Sequence, residues 1–492
     1  MAPYLRKFGC YTVPDFIGTR YGGNFVRACA VFVLFIASFT YVTAQINATG
    51  TIASRALGIP FELGVWVGLI SILICSMLGG MRAVTWTQVA QYIVLIVAYL
   101  LPVFWISSKV GGGIFPHLML GDEVARLGEL EQSFGLVKNS AADMKAAGVP
   151  GGLKYISGSH SGVPEGGMAV WKYLSLAICM MVGTASLPHI LMRYFTTPTV
   201  RAARKSVAWS LFFIFLLYSS APMLATLSKL SLMDPNLPTG IIGKSIADVQ
   251  SLEWVQRWSE VKQVFIADFN NDGILQLNEW FMRGDVVVLA TPEVAGLPFV
   301  ISGLVFAGGM AAAMSTADGL VLAISNALSH DIYYKIIDPK ADTAKRLLVA
   351  RVLLVLIGAA GAYIASFRLT SILGSVAWAF DFAMSGLFFP LVLGVWWKRA
   401  TREGAIAGIV TGIGSGLFYL LWVYPKFSNA IWGVTNTPIL GIDHLRFGLI
   451  GAPICLIVMV VVSLMTKEPS PSVQKMVDDT RIPTGKPILG KQ

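Results

Sequence analysis

The sequence predicts an all-α polytopic membrane protein of about ten transmembrane helices. Three observations carry that expectation: a composition poor in charge, a series of apolar segments of bilayer length, and basic residues gathered at alternate connections. Of 492 residues, 55% are hydrophobic and 13% charged, with mean hydropathy +0.68. Soluble domains carry about a quarter charged residues. The net charge of +10 therefore reads as Lys and Arg concentrated on one membrane face, and no nucleic-acid partner is expected. Cys10, Cys29, Cys75, Cys179 and Cys455 lie scattered without disulfide or zinc spacing. The first 24 residues are mixed and polar, unlike a cleavable signal.

A bilayer core needs about 20 apolar residues per helix. Ten segments qualify: 25–46, 61–80, 84–107, 170–192, 207–228, 297–328, 347–366, 370–395, 404–423 and 446–465. GGMRA at 79–83 reads as a tight turn, and the sixth segment is long enough to tilt or to continue beyond the membrane. Basic residues mark one side: Arg6, Lys7, Arg20, Arg27, Arg82, Arg193, Arg201, Arg204, Lys205, Lys335, Lys340, Lys345, Arg346, Lys398, Arg399 and Arg402. The short loops opposite hold Arg55, Arg368, Lys426 and Arg446. The expected organisation follows from that asymmetry. A cytoplasmic segment (1–24) leads into three spans within 25–107, then an extracytoplasmic loop (108–169) and two spans within 170–228. A second extracytoplasmic loop (229–296), five spans within 297–466 and a cytoplasmic tail (467–492) complete it. The tail, polar and Pro-containing, reads as a mobile end. Both termini are expected in the cytoplasm of a bacterial inner or plasma membrane protein.

The second loop contains DFNNDGILQLNE (268–279), a full match to the EF-hand pattern. Asp268, Asn270 and Asp272 would supply side-chain oxygens, Gly273 the sharp turn, Ile274 a carbonyl and Glu279 two closing oxygens for a structural Ca2+. Trp254, Val255, Trp258, Val261 and Phe265 recur at helical spacing, which suits an entering helix. A polar Asx-rich turn is the competing reading. A single loop favours a structural clip over a signalling switch.

Polar groups inside spans are costly and hence functional candidates. The sixth segment, LVFAGGMAAAMSTADGLVLAISNALSHDIY (304–333), is the richest. Ser315 and Thr316 offer adjacent hydroxyl oxygens, and the Ala312 carbonyl lies one turn earlier, a hard-oxygen set suited to Na+; alternatively the hydroxyls bond back to their own helix. Asp318 and Asp381 are possible ion or proton carboxylates, or paired structural ones. His189 reads as a packed residue. Gly183–Pro188 interrupts a helix where freed backbone faces a cavity.

YTVPDFIGTRY (11–21), GGMRAVTWTQVAQ (79–91), LPHILMRYFTTPTVRAARKS (187–206), AAAMSTADG (311–319) and LSHDIYY (328–334) occur in the order found in the sodium/solute symporter family, which the chain resembles over nearly its whole length. GTASLPHILMRYFT resembles the acetate and monocarboxylate permease branch. The resemblance implies an inverted-repeat secondary transporter fold, with substrate and sodium between two five-helix repeats. It also implies sodium ligation by Ala312, Ser315 and Thr316. Tyr41, Gln45, Gly183, Thr184, Ser186 and Trp378 would line the substrate site. Relatives usually carry about three spans before YTVPDF, so the first repeat is expected to be incomplete, as in a late-start reading of a longer gene or a fragment. Asp318 occupies a position expected to be small or hydroxylated in relatives.

The expected function is a sodium-coupled symporter of a small organic solute, a short monocarboxylate such as acetate, working by alternating access. No nucleophile–base pair or phosphate loop suggests an enzyme. The rivals are a transport-inactive calcium-binding sensor or scaffold and a proton-coupled transporter using Asp318 or Asp381. Lipid surrounds the spans, and a small membrane subunit is a possible partner.

Overall fold

The computed structural model describes residues 1–110, 116–134, 141–150, 153–155, 167–482 and 487–489, with the backbone alone at 78–83, 141–142, 154–155 and 167–169. Helices α1 (Ala2–Phe8) and α2 (Val13–Tyr21) precede the long α3 (Asn24–Leu57) and α4 (Phe61–Val110). The first long connection holds α5 (Pro116–Phe134) and α6 (Ala141–Ala146), followed by α7 (Gly167–Thr184), α8 (Pro188–Phe195), α9 (Val200–Tyr218) and α10 (Ala221–Met233). The second holds α11 (Ile246–Ser251), α12 (Glu253–Glu260) and α13 (Val287–Val294). Then come α14 (Phe299–Asn326), α15 (Thr343–Ser366), α16 (Ile372–Ala383), α17 (Phe389–Trp396), α18 (Arg402–Val423), α19 (Pro425–Trp432), α20 (Gly448–Met465) and α21 (Pro471–Arg481). Among the described residues nine segments are long and apolar enough to cross a membrane, and Phe61–Met77 is a shorter apolar helix beside them. About ten spans were expected.

The helices depart from straight rods where their sequences allow it. A straight α4 would hold Ser76 and Gln88 about 18 Å apart. Yet Ser76 bonds the Asp318 side chain and Gln88 the Ser315 carbonyl, three residues away on α14. The chain therefore bends between them, in the region of the expected GGMRA turn. The fourth segment is interrupted at Ala185–Leu187, between α7 and α8, as its Gly and Pro suggest. The fifth breaks at Ser219–Ser220, which its apolar run concealed. The sixth runs on as π-helix over Ala327–Ile337, and α16 passes into α17 through a π segment, Met384–Phe388. Such π segments are local insertions in an α-helix and gather at functional sites.

Two expectations are corrected. Phe265 is not in the helix entering the 268–279 loop. That helix ends at Glu260, and Val264–Ile266 (β2) pairs antiparallel with Trp280–Met282 (β3), which also pairs with Lys154–Tyr155 (β1). The β-branched and aromatic residues of 264–266 satisfy a strand as well as a helical spacing, and the available partner decides. A short three-stranded sheet thus interrupts the all-α pattern, in order β1-β3-β2. The tail is not a free end either. Val477 and Thr480 of α21 are buried, Lys398 pairs with Asp478 at 2.7 Å, and the N–H groups of Ile488 and Leu489 bond the Lys7 and Phe8 carbonyls. Residues 483–486 and 490–492 of the tail, and much of the 108–169 connection, lie outside the described residues.

Among the described residues the three larger apolar clusters organise the chain. One joins α1, α2 and α3 to α16, α18 and α20. A second joins α3, α4, α14 and α15. The third sits where α10, α12, α13 and the sheet meet the first residues of α14. Gly404, Gly408, Gly412 and Gly416, four apart on α18, allow backbone-close packing on α20: a Cβ at Gly408 would lie 2.8 Å from the Met459 Cβ.

Candidate functional site

The small residues of α14 bring its backbone against α4, where a Cβ at Gly308 would collide with Ala98. On the same helix the Thr316 hydroxyl donates to the Ala312 carbonyl at 3.1 Å. Two of the three expected sodium oxygens therefore meet, in the back-bonded geometry that was the competing reading. Ser315 is half-buried beside them, its carbonyl accepting from Gln88 Nε2 at 2.6 Å. Asp318, one turn on, is fully buried. Its Oδ1 accepts from the Ser76 hydroxyl at 2.8 Å, and its Oδ2 has no hydrogen-bond partner. Arg193 of α8 stands next to it, 3.1 Å from where a Cβ on Gly319 would sit. A helix beyond the α7–α8 break thus brings a guanidinium to Asp318, one turn from the hydroxyl pair.

The substrate-lining candidates divide. Tyr41 packs edge-on to His189, ring centroids 5.6 Å apart, and against Phe380 at 5.8 Å. Gly183 lets α7 approach α16 so closely that a Cβ there would lie 2.6 Å from the Phe380 Cβ. Tyr41, Gly183 and the helix break are therefore neighbours around Phe380. Ser186 is buried with its hydroxyl donated to the Gly183 carbonyl at 2.9 Å. Thr184 bonds back to Met180 on the exposed side of α7, and Gln45 is buried within α3. Trp378 stands apart, its Nε1 donating to His444 Nδ1 at 3.2 Å, on the wall of a separate cavity.

The two acidic candidates are not partners. Asp381, fully buried, faces the first residues of α20, where a Cβ on Gly448 would lie 2.8 Å from Oδ1. Neither of its oxygens makes a hydrogen bond of ordinary geometry. A helix N-terminus favours negative charge there.

The 268–279 loop has the backbone that the EF-hand pattern requires. Asn271 (φ 59°) and Gly273 (φ 69°) adopt left-handed angles, and Gly273 N–H donates to Asp268 Oδ2 at 3.0 Å. Ile274 N–H donates to Asp272 at 2.8 Å, and this bond, the largest influence, holds that carboxylate below its ordinary pKa. Glu279 is buried, its oxygens accepting from Phe269 N–H and Gln276 N–H. Leu275 exchanges backbone bonds with Gly243 and Lys244, which gives the unpaired loop a strand-like partner. The donor set fits a hard cation, with carboxylates, an amide and a carbonyl around one turn.

Sequence reasoning missed a further polar cluster. Asp15 of α2, His330 and Asp331 present ligand-type atoms within 4.8 Å of one another. Thr12 donates to Asp331 at 2.6 Å, and Arg27 of α3 lies 3.3 Å from Asp15 and 4.0 Å from Asp331. The guanidinium already supplies the positive charge, so the group is an ionic tie between α2, α3 and the π-helical end of α14. The motifs held its members; only the fold joins positions so far apart in sequence.

The sequence profile described as "Sodium:solute symporter family" matches residues 1–228 and 287–412. An uncharacterised symporter of Cupriavidus necator is 37% identical over 562 aligned residues, covering 98% of this chain and 81% of that protein. A monocarboxylic acid transporter of Corynebacterium glutamicum is 25% identical, covering 93% and 74%. The solved structure of a Na+-coupled sialic acid symporter superposes with a TM-score of 0.61 at 16% identity, covering 95% of this chain and 81% of that one, a likeness of fold. With the profile spanning both the α4 and α14 motifs and a relative of that identity, the chain belongs to the sodium:solute symporter family.

Proposed function

We propose that the protein is a sodium-coupled symporter of a short monocarboxylate, acetate being the simplest, by alternating access, with Ala312, Ser315 and Thr316 as the sodium ligands. The observation that carries this reading is the meeting of the Ala312 carbonyl and Thr316 hydroxyl at 3.1 Å, one residue from Ser315. A cation entering there takes the carbonyl oxygen that the hydroxyl proton now occupies. Asp318 and Arg193 offset each other's charge at this point, which leaves the coordination to neutral oxygens. Sodium bound on α14 and solute bound beside the α7–α8 break, around Tyr41 and Gly183, both favour the conformation that joins these helices; each therefore raises the affinity for the other. The Corynebacterium glutamicum relative supports a monocarboxylate. The charge asymmetry of the loops supports cytoplasmic termini and an extracytoplasmic cap, as in a bacterial inner membrane. In that cap the 268–279 loop holds Ca2+ through Asp268, Asn270, Asp272, Ile274 and Glu279 as a brace. Reconstituted vesicles supply the test: labelled acetate accumulates with an inward sodium gradient, and Ser315→Ala with Thr316→Ala lowers uptake at limiting sodium at least tenfold. Uptake unchanged by that pair, or driven equally by a pH gradient without sodium, removes the sodium site and favours a proton mechanism through Asp318 or Asp381.

A further inference from the structure

Where the start of α2, the end of α8 and the π-helical end of α14 meet, on the side of the basic connections, a cavity of about 560 Å³ opens. Three rings follow one another along its wall: Tyr11 lies 5.5 Å from His330, and His330 5.8 Å from Tyr334, centroid to centroid. Tyr11 is 56% exposed, so much of its ring is open to a stacking partner. Two cations stand at the Tyr334 end of the row, Arg346 with Cζ 4.1 Å from that ring's centroid and Lys335 with Nζ 5.7 Å from it. Both belong to the wall. Met192 gives the wall an apolar patch, and Asn326 and Thr196 add an amide and a hydroxyl.

The wall is positive. Its described residues include Lys335 and Arg346 and no carboxylate. The acids close by are engaged elsewhere: Arg27 and Thr12 hold Asp15 and Asp331, Asp338 pairs with Lys345 at 2.9 Å, and the Asp342 side chain accepts from Lys345 N–H. Cations in a walled cavity concentrate anions, and a guanidinium fork beside an ammonium point charge suits phosphate oxygens. The size argues for more than a short carboxylate. Sites that bury a small organic ligand measure roughly 300–1,000 Å³, and acetate would leave most of this wall untouched. The rings argue against a bare phosphate or a lipid headgroup, neither of which has a flat face to stack.

We propose that the cavity binds a nucleoside phosphate, its base stacked on Tyr11 and its phosphates held by Lys335 and Arg346. Two centroid steps, 5.5 and 5.8 Å, separate Tyr11 from Tyr334, which matches the reach from a base across its ribose to the phosphates. Asn326 and Thr196 offer donors and acceptors to the edge of the base or to the ribose hydroxyls. The loop charges favour the cytoplasm for this side of the molecule, where such ligands occur. The wall is shared by α8, which follows the helix break, and by the end of α14, which carries the candidate sodium ligands. An occupant therefore favours the arrangement in which these two helices meet.

The test is equilibrium binding of labelled ATP to the purified full-length chain, a measurement that does not depend on transport. Saturable binding is expected, weakened at least fivefold by Tyr11→Ala and by Lys335→Gln. Tyr11→Phe keeps the ring and Lys335→Arg keeps the charge, so both should bind within twofold of the unsubstituted protein and control for misfolding. Lys340→Gln removes an exposed cation of the same connection, outside the wall, and should change nothing. Inorganic tripolyphosphate and adenosine should each compete at least tenfold more weakly than unlabelled ATP, because each meets only part of the site. Tripolyphosphate competing as well as ATP would reveal a charged patch that does not recognise the base, and would overturn the proposal. Phosphatidylglycerol micelles displacing ATP as well as unlabelled ATP does would assign the cavity to a lipid headgroup and overturn it too. No saturable ATP binding, or binding unchanged in Tyr11→Ala and Lys335→Gln, would likewise contradict it.

Discussion

At the scale of single residues, the candidate cation site has one half that the sequence displays and another that only the fold assembles. Ala312, Ser315 and Thr316 stand in one motif on one helix, and the geometry that joins two of them is the ordinary back-bond of a membrane threonine. Ser76, Gln88 and Arg193 lie far away in sequence, so nothing local ties them to Ser315 or Asp318. Ser76 and Gln88 were signalled by polarity within apolar segments, which marks a residue as functional without naming its partner, and Arg193 by its place among the basic residues of one membrane side. Arg368 was legible only as a loop charge, because its contact with the Phe61 ring joins residues far apart in sequence. Asp318 is buried with one oxygen unpartnered and Arg193 lies within electrostatic reach. Removing one member of a charge pair that is partly exposed costs less than the about 3–5 kcal/mol of a fully buried one. Asp318→Asn and Arg193→Gln should therefore each lower the denaturation temperature of the protein in lipid. The double variant should lose less than the sum, with a coupling of at least about 1 kcal/mol. Additive losses would show that the two side chains do not act as a pair.

At the scale of elements, the spans were readable because twenty apolar residues in a row have few alternatives in water or lipid. Their interruptions were readable only where Gly and Pro announced them. Gly183 and Pro188 did so for α7 and α8, whereas Ser219–Ser220 gave little warning of the break before α10. Phe265 was misplaced for a different reason: Trp258, Val261 and Phe265 fit a helical period, yet Lys262 adopts φ 55° and the following residues find β3. The glycine row of α18 gives an internally controlled expectation. A Cβ at Gly412 would collide with the Ser385 carbonyl and lie 2.6 Å from Cys455 Cβ, whereas Gly414 has nothing within 4 Å. Gly412→Ala should therefore destabilise the protein, while Gly414→Ala should be neutral or gain up to about 1 kcal/mol from helix propensity. Thermal unfolding of the two variants decides it; equal effects would mean that α18 and α20 do not pack through this face.

At the scale of the whole molecule, the cap on the side of the long connections is fastened to the membrane helices by a few polar ties. Trp258 donates to Glu293 at 2.6 Å, Glu293 pairs with Arg55 of α3 at 2.9 Å, and Asp285 accepts from Ile372 N–H at the start of α16. The 268–279 loop leads through β3 into Arg283 and Asp285. Calcium at millimolar concentration should raise the denaturation temperature, EGTA should reverse it, and Glu279→Gln should abolish the difference; no calcium response in the unsubstituted protein would remove the site. Folding lowers the Asp272 pKa, so its contribution is present above the unfolded carboxylate value, about 4, and fades as pH falls below it. The calcium response should accordingly be the same at pH 7 and pH 5. The most direct test of the central proposal is coupled ion movement: vesicles containing the purified protein, loaded with trace labelled sodium inside and out, receive an inward acetate gradient. The expected result is net sodium accumulation driven by acetate alone and abolished by Ser315→Ala with Thr316→Ala. Acetate entry with no sodium movement, undiminished in the double variant, would contradict it.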